Sequence, residues 1–427
     1  MTLRSRTTAS LAGSDDGHSG GAHFGRVAAL SVTGLIVAAV VAACGGAATP
    51  SPSPRPSATP VPTPTPVLSP TPTPTRPPTP LPTQGLSGVA LMNLARLGQS
   101  AVLLNDGRVL IAGGTTAQGL AMASAEIFSP STDTFTVTKP MTTARANQAA
   151  VLLKDGRVLI VGGAGNTAEV FDPATGLFTA TGNMTVGRYS PTATLLPDGR
   201  VLVAGGNGDN VAVLSSAELY DPATGTFTAT GSMSVPRVGQ TATLLKNGTV
   251  LVAGGGSGSA QLSSAEVYNP STGKWKTTGK MYQARADAAA IALQDGRVLV
   301  AGGFVVKTTV GLKGKSTTTY LATAEIYNPS TGKFSKTGGM TSSRQDQAIA
   351  LLKDGRVLMV GGLGSKSGTP RNTVEIYDPA KGGFSAAGTM STGRWHCTAT
   401  TLPSGLVLIA GGFNGTTALN TALLYNP

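Results

Sequence analysis

The sequence predicts an all-β fold: seven four-stranded antiparallel sheets set radially around one axis. Three observations predict it. A Gly-Gly pair recurs seven times, at Gly113-Gly114, Gly162-Gly163, Gly205-Gly206, Gly254-Gly255, Gly302-Gly303, Gly361-Gly362 and Gly411-Gly412. The first glycines lie 49, 43, 49, 48, 59 and 50 residues apart, a period that suits one small sheet per repeat. Each period also divides into the same four runs, separated by turn residues.

Strand a is a small apolar run such as Ala149-Ala150-Val151-Leu152-Leu153. An Asp-Gly or Asn-Gly turn follows in six copies, and Ser404-Gly405 in the last. These dipeptides fit two-residue hairpin loops, where both central residues need positive φ. Strand b, as in Val201-Leu202-Val203-Ala204, is continuously apolar and reads as buried on both faces. The two glycines then allow a sharp turn where a Cβ would collide. Strand c carries Ala-Glu and an aromatic, as in Ala217-Glu218-Leu219-Tyr220, and ends in an Asp/Asn-Pro turn. Strand d opens on Phe135, Phe178, Phe227, Trp275, Phe334 or Phe384. Six residues later comes Met, and four after that Arg: Arg145, Arg188, Arg237, Arg285, Arg344 and Arg394.

These residues resemble the kelch repeat, marked by Gly-Gly followed by a spaced Tyr and Trp. The resemblance covers Leu86 to Pro427 and implies a seven-bladed β-propeller. Phe stands in most copies where the family has Trp, and only Trp275 keeps it. The final run, Ala422-Leu423-Leu424-Tyr425, is a strand c. The missing strand d is expected from residues 86–96, because aligning Met92 and Arg96 places Leu86 at the aromatic position. That closure would remove exposed sheet edges. It is expected to set Leu91 beside Leu424.

Residues 1–44 do not belong to this fold. Arg4, Arg6 and Arg26 precede an apolar run from Val27 to Ala43, which ends in Val41-Ala42-Ala43-Cys44-Gly45. The pattern resembles a bacterial lipoprotein signal with Cys44 lipidated, and it predicts export to the cell surface on a lipid anchor. A retained membrane anchor with an incidental Cys44 is the alternative. Residues 45–85 form a Pro/Thr/Ser-rich linker, whose alternating prolines enforce polyproline II and exclude a packed core. From Thr49 to Gly85 it reaches about 115 Å at ~3.1 Å per residue.

The net charge is +12, of which the signal and linker carry three, leaving +9 on the propeller. The excess favours anionic partners such as acidic glycans. The predicted location, the low aromatic content and the lack of an RNA-binding motif argue against nucleic acid. Cys397 has no partner within the propeller once Cys44 is lipidated.

The sequence shows no nucleophile motif, phosphate loop or metal-ligand cluster. The kelch-like galactose oxidases hold copper with two histidines and two tyrosines, and the propeller here has only His396. Neither a metal nor another cofactor is expected. The seven arginines, Arg96 included, admit two readings: bonds to backbone carbonyls of the next blade, or a guanidinium ring that reads an anion. Their presence in every copy favours the first. The strand c glutamates are structural by the same reasoning.

Function is expected where the copies differ. The d–a and b–c loops should share one face. Gln99, Gln148, Gln240 and Gln347 occupy one equivalent position, either at the channel mouth or satisfying backbone groups. Tyr189 and Trp395 are candidates for stacking on sugars or cations, with wedging between blades the alternative for Trp395. Asp287 and the titratable His396 belong to the same divergent loops. The fifth b–c loop is long and basic: Lys307, Lys313 and Lys315 would lie on a protruding hairpin whose second arm is Ser316 to Tyr320, and Arg371 would extend the patch. The expected function is non-catalytic recognition of a glycan or extracellular protein by a monomer. The alternative is an exported carbohydrate-active enzyme, such as an isomerase resembling the sialic-acid epimerases. A clustered acidic or metal-binding site on the loop face would favour the enzyme, and a shallow basic-aromatic surface the binder.

Overall fold

The computed structural model describes residues 85–427 except 259, 309–315 and 365–367. The signal, Cys44 and nearly all of the linker therefore lie outside the described residues, as do Lys313 and Lys315. Among the described residues are seven four-stranded antiparallel sheets and one two-stranded hairpin. The sheets form a seven-bladed β-propeller. Blade 3 shows the pattern: strand a Thr192–Leu195, b Val201–Ala204, c Ala217–Asp221 and d Thr226–Thr230, paired in that order.

The physical logic is a gradient of burial across each sheet. Strand b is fully buried in every blade, strand a is mostly half-buried around the axis, and strand d is largely exposed at the rim. Seven apolar clusters fill the clefts between neighbouring blades. One joins Leu159 and Val161 of blade 2 to Val201, Val203 and Tyr220 of blade 3. Each such side chain removed from water contributes about 1.5–3 kcal/mol. No cluster belongs to one blade alone, which is the nearest-neighbour economy of a repeat fold.

Aromatic pairs brace strands c and d. Tyr220 and Phe227 lie 4.8 Å apart with tilted rings, and five other blades repeat the arrangement. Trp275 adds a bond that Phe cannot make, because its Nε1–H donates to Gly231 O of blade 3 at 2.7 Å.

The Asp-Gly turns differ from the two-residue expectation. Gly107 alone has positive φ. Leu104 N–H donates to Arg108 O, and Gly107 N–H to Leu104 O. This is a three-residue loop, a β-turn followed by a left-handed glycine. Aspartate serves through its side chain: Asp106 Oδ1 accepts Arg108 N–H, and Oδ2 accepts the guanidinium.

Residues from the two ends of the domain close the ring. Gly85–Gly88 pairs with Ala422–Asn426, placing Leu86 opposite Tyr425 as Phe135 is opposite Phe128. The register corrects one expectation: Ser87, not Leu91, faces Leu424. The strand stops at Gly88, and Leu91 is exposed. Residues 89–96 lead instead to Arg96, which bridges Leu419.

Candidate functional site: the loop face

The d–a and b–c loops meet on one face and pair there. Tyr189 bridges Asn207, Val238 bridges Gly256, Ala286 bridges Phe304, Gln345 bridges Leu363, and Trp395 bridges Phe413. The Gly-Gly pair makes this possible. A Cβ on Gly206 would lie 2.5 Å from Tyr189 O, at a φ of +88°.

Beneath the loops sits a buried polar girdle. Arg188 Nη1 donates to Gly205 O (3.1 Å) and Ser216 O (2.9 Å), and Nη2 to Ser216 Oγ and Glu218 Oε1, both at 2.9 Å. Glu218 Oε2 accepts Thr185 N–H at 2.7 Å. Both side chains are at most 1 % exposed. Burial lowers the Arg188 pKa, opposed by the hydrogen bond and charge of Glu218. The same constellation recurs in the first six blades. These guanidinium groups are consumed by backbone carbonyls and a carboxylate, so they are scaffold.

The four glutamines are also placed by backbone. Gln99 Nε2 donates to Ala410 O, Gln148 to Ala112 O, Gln240 to Ala204 O and Gln347 to Ala301 O, at 2.8–3.0 Å. Each ties the start of its strand a to the end of the preceding blade's strand b. Their amide oxygens have no protein partner.

The second residue after each arginine forms a column that sequence reasoning did not single out. It reads Gly98, Asn147, Ser190, Gly239, Asp287, Asp346 and His396, and every member has φ between +49° and +64°. Gly, Asn and Asp are the residues that tolerate this region best, so the column composition carried the signal. The backbones link around the axis: Gly98 N–H to His396 O, His396 to Asp346 O, Asp346 to Asp287 O, Asp287 to Gly239 O and Ser190 to Asn147 O.

Blades 5, 6 and 7 place Asp287, Asp346 and His396 side by side in this column. His396 Nε2 lies 3.8 Å from Asp346 Oδ2, with side chains 30 % and 16 % exposed. Gln345 Nε2 donates to Asp346 Oδ2 at 2.9 Å. Asp287 is pushed up to about 7, by burial first and then by the Asp346 charge, against the pull of His396. Asp346 is likewise pushed up to about 7 by burial, against its bond from Gln345. Burial lowers His396, opposed by Asp287. Asp346 joins the site through geometry alone.

Trp395 continues the group. Its ring lies 4.3 Å from His396 and edge-on to Phe413 at 6.3 Å, and its indole N–H has no protein partner. Tyr189 stands apart on blade 3, 40 % exposed. The fifth b–c loop is the expected hairpin, Phe304–Thr308 against Ser316–Tyr320, with Lys307 exposed opposite Thr317. Gln261 Oε1 of blade 4 accepts Val306 N–H at 2.8 Å and anchors the hairpin. Arg371 is tied to Gly364 O at 3.1 Å and Ser343 O at 3.4 Å. Cys397 is free and buried, and burial raises its thiol pKa.

Among known proteins, the family model of the Kelch motif matches residues 239–282. That segment holds blade 4, the one copy that retains Trp275. A fungal alcohol oxidase of the AA5 family, in complex with copper, is similar in structure with a TM-score of 0.66 at 18 % identity, over 81 % of this chain and 76 % of its own. The protein YjhT gives 0.57 at 12 % identity, over 70 % of this chain and 99 % of its own. At such identities the likeness is one of fold. No curated protein matches the sequence. Motif and fold together support a kelch-type β-propeller. A copper centre built on imidazoles does not fit the donor set: His396 is the only histidine among the described residues, and none of their His, Cys, Asp and Glu side chains group to hold a metal.

Proposed function

We propose that this chain is an exported, lipid-anchored binding module that takes a glycan on its d–a/b–c loop face. The observation that carries the reading is the cluster Asp287, Asp346, His396 and Trp395. It sets hydrogen-bonding groups and an aromatic ring side by side on the loop face, where the seven copies diverge. Carboxylate, imidazole and the neighbouring indole ring together suit a polyhydroxylated ligand, since sugar hydroxyls both donate and accept. The basic excess and Lys307 support an acidic glycan, with its charge toward the hairpin rather than over the carboxylates. The apolar run before Cys44 and the proline-rich linker support display outside the cell.

A glycan array probed with the full chain tests this. Binding to a defined set of glycans, weakened at least tenfold by Trp395→Ala and less by Lys307→Glu, is the expected outcome. An array without hits, or hits indifferent to Trp395→Ala, overturns the reading.

One observation favours a second reading, an exported carbohydrate-active enzyme such as an isomerase of acidic sugars. Asp287 and Asp346 form an acidic pair on the loop face, each raised to about 7, and such perturbed pairs mark acid–base sites. Turnover of an array hit, abolished by Asp346→Asn with binding retained, would replace the first reading by the second.

A further inference from the structure

Six blades hold a buried glutamate between the arginine and a backbone N–H, and in three of them a second backbone N–H completes a cradle. In blade 1, Glu126 Oε2 accepts Asn93 N–H at 2.6 Å, and Oε1 accepts Leu94 N–H at 3.1 Å and Arg96 Nη2 at 3.0 Å. Blades 2 and 5 repeat it with Thr142, Thr143 and Arg145 around Glu169, and Tyr282, Gln283 and Arg285 around Glu325. All six glutamates are at most 2 % exposed.

The seventh copy keeps the donors and lacks the acceptor. Ser391, Thr392 and Arg394 stand at the donor positions, while Leu423 faces Ile409 and Gly88 as Glu126 faces Ile111 and Val137. Arg394 is 1 % exposed. Its guanidinium reaches Gly411 O, Thr421 O and Thr421 Oγ1, but no carboxylate among the described residues. Neither Ser391 N–H nor Thr392 N–H donates to an acceptor among those residues. A buried guanidinium without a counter-charge is costly.

Two features leave room for a guest. Leucine ends at the depth of glutamate's carboxyl carbon, so it supplies nothing where the two oxygens would lie. Opposite it, Gly88 is exposed, and a Cβ there would meet nothing within 4 Å. Leu423 is accordingly half-buried where the glutamates are buried.

We propose that this seventh cradle binds a small free carboxylate, held by the N–H groups of Ser391 and Thr392 and by the Arg394 guanidinium, in the place glutamate fills elsewhere. Two converging N–H groups and a guanidinium match a planar carboxylate with charge-assisted bonds. Burial lowers the Arg394 pKa, opposed by Cys397 and by no carboxylate, so the guest supplies the missing counter-charge.

Thermal melting of the full chain in sodium formate, at fixed ionic strength, tests this against Leu423→Glu. Formate should raise the wild-type Tm by about 1–2 °C, the scale on which a large domain responds to a modest ligand. Leu423→Glu should melt higher without formate and gain nothing from it. A wild-type Tm indifferent to formate, or an equal response in both proteins, overturns the proposal. Leu423→Gln is the second variant in case the glutamate form fails to fold. Its neutral amide fills the cradle, so loss of the formate response supports the site and persistence refutes it.

Discussion

The two faces of the propeller are made by opposite rules. On the turn face the chain repeats itself: Asp106-Arg108, Asp155-Arg157, Asp198-Arg200, Asp295-Arg297 and Asp354-Arg356 form the same exposed ion pair. On the loop face an equally repetitive layer, the arginine–glutamate girdle, lies buried, and above it the copies diverge into Asp287, Asp346, His396, Trp395 and the Lys307 hairpin. The contrast teaches that repetition marks the frame at any depth. Side chains free to differ are those whose backbone is already held, as the positive-φ column is held by N–H to C=O bonds between blades.

The strongest way to break that contrast is to attack the buried girdle. Arg188→Ala leaves Glu218 buried without its partner and should cost about 3–5 kcal/mol, read by denaturant unfolding. A loss below about 1 kcal/mol would mean the girdle is dispensable.

The loop face should respond to pH. Asp287 and Asp346 have folded pKa values of about 7 against ordinary values of 3.8. The fold thus binds their protons more tightly than the unfolded chain does. Their contribution is present below about pH 4 and is lost as pH rises to about 7. His396 acts oppositely, since its lowered pKa costs stability as pH falls below 6.5. Thermal melting against pH should therefore flatten between about pH 4 and 7 in the double variant Asp287→Asn, Asp346→Asn. An unchanged slope would remove the pair from this balance.

The smallest effect belongs to the turn face. Arg200→Ala breaks an ion pair whose side chains are 37 % and 43 % exposed, and exposed pairs contribute about 0–1 kcal/mol. A loss matching that of Arg188→Ala would erase the distinction between the two kinds of repetition.

Much of the frame was legible because a repeat averages out local ambiguity. Seven copies of Gly-Gly, a spaced aromatic and a spaced Arg left one architecture, and aligning Met92 with its counterparts set Leu86 opposite Tyr425. The alignment did not reveal that the strand ends at Gly88, because Val89 to Leu94 remain apolar enough to read as strand. The Asp-Gly turns misled for a similar reason, since the dipeptide serves both two- and three-residue loops. The site was less legible. Asp346 shares its triplet with Gln345 and Gln347, and nothing in the chain's linear order reveals that it lies beside His396, fifty residues on. Only the ring brings them together.

The way that ring is sealed sets a constraint on biosynthesis. The outer strand of blade 7 leaves the ribosome first among the propeller's residues, and the strand it must grip leaves last. Until then every cleft between finished sheets can form except those that flank the gap. A chain that has begun to fold but is not yet closed therefore carries two sticky borders. Until the ring is sealed, those borders have to be shielded from neighbouring copies.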